Sequence, residues 1–223
     1  MGIYKAPKEE RFRGWAQLIR YADDFVAVFQ YKNDAERFYS LLIDRFSRFG
    51  LRTAEEKTRI LRFGRFAAAD SEKEHRTDPT VRSKPETFDF LGFTFYCSTN
   101  KKGRFCCKVR SAGKRVKTKL KRISLWMKQN RSLKLKEFME HIRRVLTGYF
   151  NYYCVTCNEH CTAAFRYQVC RLMFKWLNRR SQRKSFNWTE FMKMLEIFQI
   201  PKAYFRVDIY RYRDKWLTKE PCA

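Results

Sequence analysis

At 223 residues the chain is long enough for one large domain or two small ones, and 44% hydrophobic residues with 17% aromatic supply a real core. A mean hydropathy of -0.63 without any apolar run of about 18 residues excludes a membrane-spanning helix, and the charged stretch from Met1 to Arg13 has no secretory-signal core. A formal charge of +26 is self-repelling unless a polyanion relieves it, so nucleic acid is the expected partner.

In chain order, Leu18-Ile19-Arg20-Tyr21 and Phe25-Val26-Ala27-Val28-Phe29 are β-prone runs flanking Ala22-Asp23-Asp24, which predicts a hairpin with carboxylates at its tip. Asn33 or Asp34 is expected to cap a helix whose apolar residues Phe38, Leu41, Leu42, Phe46 and Phe49 recur at three- and four-residue spacing until Gly50. That helix should pack on the hairpin. Thr58 to Phe63 reads as a further strand, and Gly64 to Thr87, polar, aperiodic and carrying Pro79 and Pro85, as a long exposed loop. Phe88 to Cys97 and Phe105 to Val109 predict a second hairpin, turning at Asn100-Lys101-Lys102-Gly103.

Beyond Gly113 the period changes from two to 3.6. Val116, Leu120, Ile123 and Met127 form one helical stripe, and Phe138, Ile142, Val145, Tyr149 and Tyr153 a second. Phe165, Val169, Leu172 and Trp176 form a third, and Phe191, Leu195 and Phe198 a short fourth. The charge shifts with the period: residues 1–100 hold 18 Lys and Arg against 15 Asp and Glu, and residues 101–223 hold 31 against 8. The basic grip therefore lies in the helical half.

Two adjacent carboxylates on an apolar hairpin suit Mg²⁺ and a triphosphate, although an Asp-Asp pair alone is weak evidence, since such pairs more commonly sit in solvated turns. The surrounding string is more specific. Arg20-Tyr21-Ala22-Asp23-Asp24-Phe25-Val26 resembles the Tyr-x-Asp-Asp motif of group II intron-encoded reverse transcriptases. Gly50-Leu51 with Glu56-Lys57-Thr58 is similar to the family's next palm motif, and Phe63-Gly64-Arg65-Phe66 to its continuation. Phe88-Asp89-Phe90-Leu91-Gly92-Phe93 resembles the primer-grip hairpin. Gly148-Tyr149-Phe150-Asn151-Tyr152-Tyr153 and the run from Trp176 to Lys184 resemble the thumb and maturase segment, domain X.

The resemblance implies an α+β fold: the C-terminal half of a polymerase palm, with antiparallel β-hairpins and a helix, then an α-helical thumb and maturase bundle. The partial palm would span residues 1–112 and the RNA-binding helical region residues 113–223. By the same resemblance Asp23 and Asp24 are metal-binding catalytic carboxylates for Mg²⁺, and Lys57 the lysine that assists the departing pyrophosphate. Tyr21 and Ala22 would lie by the primer end and incoming deoxynucleotide, and Phe90, Leu91 and Gly92 would hold the DNA primer. Family members carry fingers and a first palm aspartate upstream of the Asp-Asp hairpin. Only fourteen residues precede Trp15, so the chain is expected to be a fragment or half of a split enzyme, completed by a separately encoded N-terminal half.

In the first long helix Lys114, Arg115, Lys117, Lys119, Lys121 and Arg122 stand without an acid among them, as expected of a face that tracks a phosphate backbone. Arg179, Arg180, Arg183 and Lys184 form a second cluster, in the segment that resembles domain X, expected to contact intron RNA. Tyr149, Tyr152 and Tyr153 are candidates for base stacking or for core positions with polar tips. Cys154, Cys157, His160 and Cys161 have zinc-ligand types, but they crowd into eight residues without a second pair at the usual distance. No zinc is expected, and in the family this turn commonly has glycine or other small residues. The eight scattered cysteines fit a reducing bacterial cytoplasm better than a disulfide framework. Three functions are open: RNA-directed DNA polymerisation with intron maturation, RNA binding as a non-catalytic splicing cofactor, and, far behind both, a zinc-dependent DNA-binding module built around Cys154, Cys157, His160 and Cys161.

Overall fold

The computed structural model describes residues 12–54, 58–180, 185–204 and 206–209. The fold is α+β, with small antiparallel sheets and six helices among the described residues. The chain forms two compact units, dividing between Glu86 and Thr87.

In the first unit β1 (Ala16–Tyr21) pairs antiparallel with β2 (Asp24–Phe29), Tyr21 opposite Asp24, so Ala22 and Asp23 make the turn. Ala22 takes φ 50°, and the Arg20 Nε donates to its carbonyl oxygen at 2.8 Å. The expected helix, α1 (Lys32–Arg48), packs on β2: Phe29 and Phe38 lie 5.2 Å apart between ring centroids, with Phe12 against both. Its capping differs from the expectation. Tyr31 is the N-cap, no side chain caps the helix, and Asp34 sits within the first turn. The buried Asp34 carboxylate instead accepts from the backbone N–H groups of Arg13, at 3.1 Å, and Gly14, at 2.9 Å. It thereby fixes the chain entering β1. Past the helix, Gly50 at φ 67° ends it as expected, with Leu51 N donating to Phe46 O.

Two expectations fail here. Residues 58–63 form no strand. Arg62 instead bonds outward, its guanidinium to Glu74 at 2.7 Å and its N–H to Glu86 at 3.2 Å. The expected loop contains helix α2 (Ala67–Thr77). Three consecutive alanines and a run of Glu and Lys have high intrinsic helix propensity, and Glu72 pairs with Arg76 at i,i+4. Only Ala67 is buried on it, so the apolar period that signals most helices is absent.

The second unit opens with a three-stranded sheet, β3 (Phe88–Phe90), β4 (Phe93–Thr99) and β5 (Phe105–Ser111), ordered β3-β4-β5. The single apolar run from Phe88 to Cys97 is thus two strands, folded at Leu91-Gly92. Both turn residues have positive φ, 50° and 81°, as a two-residue hairpin turn requires. The second turn is the expected one: the Asn100 side chain accepts from the backbone of Lys102 and Arg104, and Gly103 stands at φ 71°.

Four helices follow: α3 (Gly113–Gln129), α4 (Leu135–Tyr153), α5 (Glu159–Leu177) and α6 (Trp188–Ile197). Their predicted stripes build one core, in which Met127, Phe138, Leu146, Val169, Met173, Leu177 and Phe191 are fully buried. Asn187 starts α6 with a reciprocal capping box to Glu190. Sheet and helices meet at Asn158, which is 0% exposed. Its Oδ1 accepts from Ser111 N at 2.8 Å, and its Nδ2 donates to Ser111 Oγ and to Tyr153 O. Every polar atom of that amide side chain is used, and it joins the end of β5, the end of α4 and the start of α5.

Candidate functional site

The hairpin tip carries Tyr21, Ala22, Asp23 and Asp24 together, all exposed. Among the described residues neither carboxylate forms an ion pair. Both supply hard oxygen donors, which fits Mg²⁺, an ion held by one or two carboxylates together with substrate phosphates. Among the described residues no group of three or more His, Cys, Asp or Glu is gathered around one point. Lys57 lies outside the described residues.

Phe90, Leu91 and Gly92 belong to the second unit, where the end of α4 holds their turn. The Tyr152 hydroxyl donates to Leu91 O at 2.6 Å, and Ala112 N donates to Gly92 O at 2.9 Å. The Phe93 ring stacks on Tyr152 at 5.6 Å and packs against Tyr153 at 5.1 Å. A Cβ on Gly92 would meet the Tyr153 hydroxyl at 2.7 Å and would stand on a backbone at φ 81°, so both the space and the backbone favour glycine. Tyr149 is deeper: it is stacked on Phe165 at 3.7 Å and donates to Ser111 Oγ, and burial pushes its phenol up to about 12. The three tyrosines are therefore braces, with only Tyr152 half exposed.

On α3, Lys114, Arg115, Lys117, Lys119, Lys121 and Arg122 are all exposed, opposite Val116, Leu120, Ile123 and Met127, which face the core. No acid stands on that helix. Residues 5–95 match the family model for reverse transcriptase (RNA-dependent DNA polymerase), and residues 114–194 match that for the group II intron, maturase-specific domain. The chain belongs to the group II intron reverse transcriptase and maturase family. Among curated proteins none matches it.

In this family member the second basic cluster is not one patch. Arg179 is exposed over the Trp176 ring at 5.6 Å, whereas Arg180 turns its guanidinium over the core ring of Phe138 at 5.3 Å. Arg180 Nε and Nη2 are buried without a hydrogen-bond partner among the described residues, and desolvation holds its pKa below the usual range. Arg183 and Lys184 lie outside the described residues.

The cysteine segment is a packed turn. Cys154 is buried and its carbonyl accepts from Arg206 N, while Val155 and Val207 form a parallel bridge. Cys157 stands at φ 71°, the region that favours glycine, in accord with a turn position that small residues occupy. Its thiol neighbours come from elsewhere in the chain: burial pushes Cys107 up to about 11, with the thiols of Cys97, Cys106 and Cys157 adding to it. The sequence reading missed the face of α5 carrying Tyr167, Arg171 and Lys175, whose i, i+4, i+8 spacing was its available signal.

Proposed function

We propose that the chain acts as the C-terminal portion of a group II intron-type reverse transcriptase. It would supply one carboxylate pair of the polymerase site and the RNA grip of a maturase, with fingers and first palm aspartate coming from an N-terminal half. The observation that carries this reading is the bare hairpin. Every residue of β1 is exposed, Leu18, Ile19 and Tyr21 among them, beside a tip bearing two unpaired carboxylates among the described residues. A two-stranded hairpin is marginal in water, and large apolar side chains left on it call for a covering sheet.

In this reading Asp23 and Asp24 hold Mg²⁺, which when bound neutralises charge developing on the transferring phosphate. Tyr21 and Ala22 flank the primer end and the incoming deoxynucleotide, and Lys57 protonates or neutralises departing pyrophosphate. Phe90, Leu91 and Gly92 support the primer backbone, and residues 1–112 serve as palm. Residues 113–223 serve as thumb and maturase region: Lys114, Arg115, Lys117, Lys119 and Arg122 track phosphates, and Arg179, Arg183 and Lys184 contact intron RNA, while Arg180 packs on the core ring of Phe138. The absence of acids on α3 supports that grip.

Primer extension with Mg²⁺ and deoxynucleotides is the test. The chain alone is expected to bind template without extending it, and fusion of a related N-terminal half before Trp15 is expected to restore extension. Robust extension by the unaided chain would overturn the split-site reading. A complemented protein that stimulates intron splicing yet never extends a primer would establish the non-catalytic splicing cofactor instead.

A further inference from the structure

Between α3 and α5 the second unit holds an open groove of about 750 Å³, lined also by Trp188 at the start of α6. Its floor is apolar, built by Leu120, Ala164 and Leu172, and its aromatic walls are open to solvent: Tyr167 is 55% exposed and Trp188 42%. Phe174 holds the Trp188 ring edge-on at 5.1 Å. The rim carries Lys121, Arg171 and Lys175, with no Asp or Glu among the lining residues. Arg171 reaches over the Tyr167 ring at 6.0 Å.

These features select one kind of occupant. An inorganic anion needs the cations but has no use for an apolar floor and two aromatic walls. An apolar protein helix needs the floor but would desolvate three cations without neutralising them. A flat, partly apolar group with a negative charge attached on either side satisfies both, and that is a nucleotide lifted from its stack. The size also fits, since pockets for small planar ligands run to several hundred cubic ångströms.

We propose that this groove receives an unpaired base of bound RNA, stacked on Tyr167 and Trp188, with its flanking phosphates on Lys121, Arg171 and Lys175. The proposal rests on the RNA-binding reading above and adds a site that distinguishes looped from fully paired RNA. The basic face of α3, by contrast, reads only phosphates.

The test uses the full chain, a stem-loop RNA with an unpaired loop, and a fully paired duplex carrying the same number of phosphates. The wild-type chain should prefer the stem-loop. Tyr167→Ala, at a mostly exposed position, should keep its helical circular dichroism and its duplex affinity but bind the stem-loop about tenfold more weakly. Tyr167→Phe should restore the preference, because a phenyl ring stacks as well as a phenol. Iodouridine placed in the loop should photocrosslink to Tyr167 or Trp188. Equal affinity for the two RNAs, insensitive to Tyr167→Ala and with crosslinks elsewhere, would overturn the groove while leaving the basic face of α3 intact. If neither RNA binds, the RNA-binding reading fails and the groove with it.

Discussion

The hydroxyl of Tyr152 donates to the carbonyl oxygen of Leu91 at 2.6 Å, so the last turn of α4 holds the turn between β3 and β4. Leu91 sits at φ 50°, a conformation costly for a branched residue, and that bond together with Ala112 N to Gly92 O keeps it there. The turn proposed to support the primer is thus set by a helix some sixty residues later in the chain.

Gly92→Ala is expected to destabilise the chain by about 1–3 kcal/mol, because φ 81° and the Tyr153 hydroxyl both oppose a Cβ. Urea unfolding measures the loss. Adding Tyr153→Phe should recover part of it by removing the oxygen that the Cβ meets, and the remainder is the backbone cost. A double variant no better than Gly92→Ala would mean that the hydroxyl is not the obstacle.

Asn158→Ala should cost about 1–3 kcal/mol in the same assay, since it leaves the buried Ser111 N–H without an acceptor. Asn158 also bonds Ser111 Oγ and Tyr153 O, so its loss should loosen β5 from the helices. Hydrogen exchange at Ser111 is the local readout. Unchanged protection there would contradict the assignment of Asn158 as the joint.

His141 gives stability a pH dependence of known sign. Its ring stacks on Trp126 at 3.7 Å, and burial, then the Arg144 guanidinium, hold its pKa below the ordinary 6.5. As pH falls, the unfolded chain takes this proton near its ordinary value while the folded chain resists until lower pH. The contribution is therefore complete above 6.5 and is lost as pH drops through the lower folded value. The Tm should fall between about pH 7 and pH 5, and His141→Phe should shrink that fall. An identical fall in the variant would remove His141 as its source.

How much of this could be read beforehand follows from the range of the forces involved. The stripes Val116, Leu120, Ile123, Met127 and Phe138, Ile142, Tyr149 were legible because periodic burial writes itself into the local sequence. Helix α2 was not, since Ala67-Ala68-Ala69 and its charged residues form a helix through propensity and leave little apolar period. Asp34 had the right type for a cap, but its partners, Arg13 and Gly14, lie about twenty residues away. The fold at Leu91-Gly92 hid inside one apolar run, and Asn158 revealed nothing because its partner Ser111 stands 47 residues earlier. The carboxylates at the tip were legible from the motif alone, since a two-residue turn needs only its neighbours.

Replacing Lys114, Arg115, Lys119 and Arg122 with alanine should weaken RNA binding without loss of helicity, because these exposed side chains flank the core stripe and do not form it. In a filter-binding salt series the logarithmic slope should become shallower by roughly 0.7–0.9 for each phosphate that the variant no longer neutralises. A slope unchanged by the four substitutions would place the RNA on another surface.

The polymerase reading places chemistry at the exposed carboxylate pair once the palm is complete, and the single-turnover extension rate of the complemented Asp23→Ala variant is where that chemistry would be read. Loss of a metal-binding carboxylate removes several kcal/mol of charge stabilisation, so the rate should fall by about a hundredfold or more while RNA affinity stays at the wild-type level. A complemented Asp23→Ala protein that extends primers at the wild-type rate would contradict that reading and leave the pair a surface turn.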